Sequence, residues 1–187
     1  MSIPKLITLG FLVFLFSSCE EKSILPKPTG FLRLKYPKPV YEKSSTLLYQ
    51  FETNESCTVS VNKKHWMRIA YPKLKATIAI TYRAVDNNIL ELLNESKKLT
   101  MKHASRADGI YFDMFENKEE QVYGRLSNVT GNTASSIQFY ITDSTKNFIT
   151  GALYFKASPN YDSIYPAIKY IEKDIIRLMN TAKWKNK

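Results

Sequence analysis

The stretch KATIAITYRAVDNNILELLNESKKLTMKHA, residues 75–104, changes its hydrophobic period part-way along. Up to residue 84 the apolar side chains fall on alternate positions. Ala76, Ile78, Ile80 and Tyr82 share one face, which predicts a strand over residues 75–84. From residue 87 the spacing becomes three and four. Ile89, Leu92, Leu93, Ser96 and Leu99 follow one side, with Glu91, Glu95, Lys97 and Lys98 on the other. That predicts a helix over residues 87–104, capped by Asp86 or Asn87.

Strand patterns surround this helix on both sides. Upstream, residues 31–36 alternate apolar and basic, and residues 46–53, 57–61 and 65–71 continue the period of two. Downstream, strands are predicted over residues 109–115, 121–129, 136–142 and 148–156. Turn-forming residues separate them at Asn117-Lys118, Thr130-Gly131-Asn132 and Thr145-Lys146-Asn147. A second helix is predicted over residues 163–183. Ile164, Ile168, Ile171, Ile175, Leu178 and Ala182 draw a narrow apolar stripe, with Asp162 or Ser163 as cap and Pro166 in the first turn. Strands, helix, strands, helix is the order of an α+β domain: a mostly antiparallel sheet with two helices packed on it.

The N-terminus carries a different kind of signal. Lys5 precedes an 11-residue apolar run, Leu6 to Phe16, too short for the roughly 20 residues of a spanning helix. Phe16-Ser17-Ser18-Cys19 then resembles a lipobox, in which the cysteine thiol takes diacylglycerol after cleavage before it. An ordinary cleaved signal with an incidental cysteine is the alternative. Residues 1–18 are thus read as a lipoprotein signal peptide, and residues 19–30 as the lipidated Cys19 with a polar, Pro-containing tether. Residues 31–187 form one globular domain in this reading. About 11 tether residues reach only about 35–40 Å, which keeps the domain near the membrane.

With Cys19 acylated, Cys57 has no partner in the chain and is either a buried small hydrophobe or a free thiol. Its alternating surroundings, Ser56 to Val61, favour burial. His65 and His103 are 38 residues apart and belong to no ligand-like spacing, so no metal or other cofactor is expected. His65 is read as an edge residue of a strand, and His103 as lying near a helix end, where a partial positive charge suits the dipole. No nucleophile elbow, phosphate loop or dinucleotide fingerprint occurs, and no catalytic residues are assigned. The most polar segment runs from Gly131 to Ser144. Ser135, Ser136, Gln138 and Asp143 would make a site only if the fold brought them to His65 or His103; otherwise they belong to a hairpin. Asp143-Ser144-Thr145 and Asp162-Ser163-Ile164 resemble short O-glycosylation acceptors of exported Bacteroidetes proteins, but turn and cap motifs are the favoured reading of each.

The chain of 187 residues has a formal net charge of +10. The excess is local: residues 22–75 hold eleven Lys/Arg against three Glu, whereas residues 111–187 hold ten against eight acids. In an exported, anchored protein such a patch meets lipid head groups, envelope polymers or acidic partner proteins, and nucleic acid is not an expected partner.

Several blocks resemble one family, the GldD gliding-motility lipoproteins of Bacteroidetes. They are Pro26-Lys27-Pro28-Thr29-Gly30-Phe31-Leu32-Arg33 with Tyr36-Pro37; Trp66 to Ala76; and Asn132 to Phe139 followed by Thr142-Asp143-Ser144. A fourth comprises Gly151 to Phe155, Pro159-Asn160, Asp162-Ser163, Asp174-Ile175 and Trp184-Lys185. The blocks occur in family order over residues 26–185; Thr150 departs from the pattern, where Arg is expected. The resemblance implies a lipoprotein required for gliding, linked to type IX secretion, with no established catalytic residues. The resemblance leaves the biochemical role undefined; with no catalytic constellation in the residues, the expected role is a non-enzymatic interaction component whose partners are the membrane, through its anchor, and other gliding or secretion envelope proteins. Glu20 after Cys19 is not the aspartate associated with inner-membrane retention, so the expected location is the outer membrane, facing the periplasm, with surface exposure left open by the pair Glu20-Glu21. A periplasmic enzyme or a glycan- or peptidoglycan-binding lipoprotein is the alternative. By fold analogy, the element order resembles a PsbP-like α/β sandwich.

Overall fold

The computed structural model describes residues 36–156 and 160–185. The signal segment, Cys19, the tether and the strand predicted over residues 31–36 (apart from Tyr36) lie outside the described residues. In chain order the strands are β1 (Tyr41–Ser45), β2 (Tyr49–Asn54), β3 (Thr58–Val61), β4 (Met67–Tyr71) and β5 (Ala76–Ala84). Then follow α1 (Ile89–Met101), β6 (Gly109–Asn117), β7 (Val122–Thr130), β8 (Ser135–Thr142), β9 (Asn147–Phe155), α2 (Tyr161–Thr181) and β10 (Lys183–Trp184). The α+β class is as predicted, with two helices and ten strands among the described residues.

Seven strands form the main sheet in the order β3-β4-β5-β9-β8-β7-β6, and β1-β2-β10 form a smaller one. All pairings are antiparallel. Sequence neighbours joined by short turns pair with each other, except β2 and β3, which lie in different sheets. Two pairings are long-range: β10 with β2, and β5 with β9 across the whole β6–β8 excursion, with Ala76 opposite Phe155 and Ala84 opposite Asn147. This pairing stitches the two halves of the chain together.

Alternation along the strands gives the main sheet two different faces. Ile69, Ile78, Ile80, Ile137, Ile141, Ile149 and Leu153 point to one face and are buried against Ile168, Ile171, Ile175 and Leu178 of α2. Each such side chain contributes about 1.5–3 kcal/mol on burial. The opposite face carries α1, where Thr100 Oγ1 donates to Gln138 Oε1 at 3.0 Å and Arg83 pairs with Glu95. Only Leu92, Ser96 and Thr100 of α1 are buried; Leu99, predicted on the inner stripe, is half exposed. Helix α1 therefore touches the sheet along a narrow line and leaves part of that face open.

Gly151 on β9 stands opposite Phe139 on β8. A Cβ at Gly151 would lie 2.2 Å from the Phe139 ring, so the buried ring occupies the space that a side chain would need.

The boundaries move by a few residues, and the caps differ from expectation. Asn88 precedes α1 without capping it through its side chain, which accepts from Asp86 N instead. Asn160, not Asp162 or Ser163, caps α2, accepting from Ser163 N at 3.3 Å. The helix thus starts earlier, and Pro166 falls in its second turn.

Candidate functional site

Thr77, Ala79 and Thr81 alternate with the buried residues of β5 and point to the face that carries α1. They are short, and only the C-terminal end of α1 reaches over Ala79 and Thr81. On their β4 side stands Arg68, with Trp66 just before the strand; on their β9 side stands Tyr154, followed by Lys156. The result is a groove of about 600 Å³ with a floor of small side chains and aromatic and cationic walls. Trp66 and Tyr154 are 42% and 45% exposed, although both are large enough to be driven under cover.

Local structure holds Trp66 in place. Asn62 Oδ1 accepts from Lys64 N at 2.9 Å and Trp66 N at 3.1 Å, and His65 N donates to Asn62 O at 3.0 Å. His65 sits in this turn with φ of 59°, not in a strand as predicted. From there Trp66 Nε1 donates to Tyr82 O at 3.2 Å, and Lys64 Nζ lies 5.4 Å from the indole.

The groove continues beneath the C-terminal end of α1 as a smaller cavity of about 230 Å³, sharing Ala79, Thr81 and Tyr154. His103, Gln138 and Thr150 line this part with Lys102. Burial lowers the His103 pKa, which works against the charge expected at the helix end. Arg68, Lys102 and Lys156 line the two connected spaces, and neither space has an Asp or Glu in its lining. The surface suits an anionic ligand with apolar faces.

Of the predicted polar segment and the histidine pair, Gln138 and His103 line this cavity together. Ser135 is buried and its Oγ donates to Ile137 O; Ser136 is also buried. Asp143 belongs to the β8–β9 turn, accepting from the backbone N–H of Thr145, Lys146 and Asn147 and from Asn147 Nδ2. Burial raises the Asp143 pKa, but these donors outweigh it and hold the carboxyl below its ordinary value. The serine site envisaged from the sequence is therefore not assembled: Ser135 and Asp143 bond within β8 and its turn, and Gln138 lines the cavity with His103 but without Ser135 or Ser136. Ser144 is exposed in that turn, and Ser163 is exposed in the first turn of α2. Among the described residues no group of three or more His, Cys, Asp or Glu could hold a metal ion.

A second polar cluster lies on the α2 side of the main sheet. Asp174 is 4% exposed and accepts from Tyr41 Oη at 2.8 Å, Tyr71 Oη at 2.9 Å and Asn54 Nδ2 at 3.0 Å. Burial, then the neighbouring Asp174, pushes the Tyr71 phenol far above its ordinary pKa; burial and the hydrogen bond to Asp174 do the same for Tyr41. Both phenols remain donors across the physiological range. The carboxylate thus ties α2 to β1, β2 and β4, a structural role.

Cys57 lies beside this cluster, half-buried against the core, as its alternating surroundings suggested. Burial pushes its thiol pKa up to about 11. Iodoacetamide should therefore label native Cys57 at neutral pH far more slowly than the unfolded chain, because the thiolate is the nucleophile. Equal rates, read by mass spectrometry, would show a reactive thiol.

The sequence profile described as gliding motility lipoprotein GldD matches residues 21–184, nearly the whole chain. The chain belongs to the GldD family of gliding motility lipoproteins. A GldD-family chain is thereby a lipid-anchored envelope protein associated with gliding, and the match begins two residues after Cys19. No curated relative matches this sequence. Among solved structures, the solution structure of cyanobacterial PsbP (CyanoP) from Synechocystis sp. is similar, with a TM-score of 0.46 at 7% identity, over 79% of this chain and 94% of that one. No helix among the described residues is long and apolar enough to cross a membrane.

The groove and Asp174 both escape sequence reasoning. Each left a trace: small outward residues on β5, and an acid on the apolar stripe of α2 between Ile171 and Ile175.

Proposed function

We propose that this GldD-family lipoprotein is a non-enzymatic docking component of the gliding machinery. Lipid on Cys19 anchors it, in the outer membrane facing the periplasm, and its sheet-face groove receives an acidic, extended segment of another envelope protein. In this reading the partner belongs to the gliding apparatus or to the type IX secretion system on which surface adhesins depend. The observation that carries the proposal is the groove itself: Trp66 and Tyr154 held exposed beside Arg68 and Lys156, with no carboxylate in the lining. Exposed aromatics next to cations are the composition of interface hot spots. An acidic segment would gain charge-assisted contacts there without meeting like charge.

The anchor is tested by Cys19→Ser in cells. The variant should leave the membrane fraction and gliding should be lost, while the wild-type protein resists salt extraction. Retention of Cys19→Ser in a salt-resistant membrane fraction, with gliding intact, would remove Cys19 from the reading.

A further inference from the structure

A second surface lies where the chain enters the described domain. Tyr36 stacks on Tyr170 of α2, with ring centroids 4.8 Å apart. The following segment, Pro37-Lys38-Pro39, shares a groove of about 390 Å³ with Pro166, Lys169 and Lys173 on the solvent side of α2. Tyr36 and Pro37 also border a smaller cleft with Lys73. Four lysines, Lys38, Lys73, Lys169 and Lys173, therefore stand around the point at which residues 19–35 join the domain. Glu172 pairs with Lys169 at 2.6 Å and offsets it. Lys38, Lys73 and Lys173 form no ion pair among the described residues.

We infer that this lysine-ringed surface is the membrane-facing side of the domain and docks on anionic phospholipid head groups. The inference rests on the anchored reading above. Sixteen residues lie between Cys19 and Tyr36, which caps their reach at about 60 Å, so the entry point stays within reach of the bilayer. Basic residues held near an anionic leaflet each add roughly fivefold to its binding, and the effect fades beyond a Debye length. The lysines sit at the one place that the anchor keeps close. Because α2 and the sheet-face groove occupy opposite faces of the main sheet, the same orientation turns the groove away from the bilayer, toward partners.

The test uses the mature chain from residue 19 with Cys19→Ser, so that binding owes nothing to lipid. It is sedimented with vesicles of phosphatidylcholine, alone or with roughly one part in three of phosphatidylglycerol. Binding should require the anionic lipid. Replacing Lys38, Lys73 and Lys173 together by Glu should weaken it about 100-fold or more. A charge-matched control replacing the exposed Lys63, Lys97 and Lys98 should change it less than about fivefold. Equal binding to both vesicles, or equal loss in the two triple variants, would overturn the surface while leaving the Cys19 anchor untouched. Release of the Cys19→Ser chain in cells would bear on the anchor alone.

Discussion

Asp174→Ala should lower the stability of the domain by about 3–5 kcal/mol in urea or thermal unfolding, the largest loss expected from any single side chain outside the apolar core. The carboxylate accepts three hydrogen bonds, from Tyr41, Tyr71 and Asn54, and is nearly inaccessible to water. Truncation leaves Tyr71 Oη and Asn54 Nδ2 in a buried site without their acceptor, and each orphaned group costs about 1–3 kcal/mol. Tyr41 lies nearer the surface and can turn to water. Asn54 keeps a weaker partner in Tyr170 Oη at 3.1 Å. Asp174→Asn should lose less, about 1–3 kcal/mol, because one amide oxygen still accepts. A loss below about 1 kcal/mol for Asp174→Ala would mean that water satisfies the cluster and that Asp174 does not hold α2 to the strands.

Ala79→Trp should abolish gliding while leaving the protein folded, abundant and in the membrane fraction. Ala79 is exposed on the floor of the groove, so a large ring there fills the space between Trp66 and Tyr154 without entering the core. Arg68→Glu acts through charge instead of volume, and each change should weaken partner binding at least about 30-fold, as at an interface hot spot. The melting temperature of each variant separates blocked binding from lost folding. Wild-type gliding with either variant at normal abundance would show that the groove takes no essential part.

Much of the fold was legible because strands β4, β5, β8 and β9 bury one face against α2, and such burial writes an alternating pattern into the sequence. The long apolar stripe of α2 was legible for the same reason. Strand β1 was not, because only Ser44 among its five residues is buried, and burial of one serine leaves no period to read. Strand β10 is two residues long and gains its place from Trp184 packing, not from pattern. Leu99 was assigned to the inner face of α1 on spacing alone; the narrow contact of that helix with the sheet leaves it half exposed. The groove was illegible for a different reason. Its walls come from residues 60–68, 77–81 and 154–156, which meet only through the β4-β5-β9 pairing. Polar residues that cluster in the sequence, from Gly131 to Ser144, proved to be a hairpin capped by Asp143. The hairpin reading favoured for that segment holds, and the groove comes instead from cross-strand register.

A photo-crosslinking amino acid at position 79 reports what the groove holds, and an acidic segment of an envelope protein is the expected occupant. In gliding cells, the predicted result is a discrete protein adduct whose crosslinked peptide is rich in Asp and Glu. The adduct should vanish in the Arg68→Glu background and be absent when the same probe replaces Lys97 on the exposed side of α1. Glycan adducts alone, no adduct from position 79, or the same adducts from positions 79 and 97 would contradict the account.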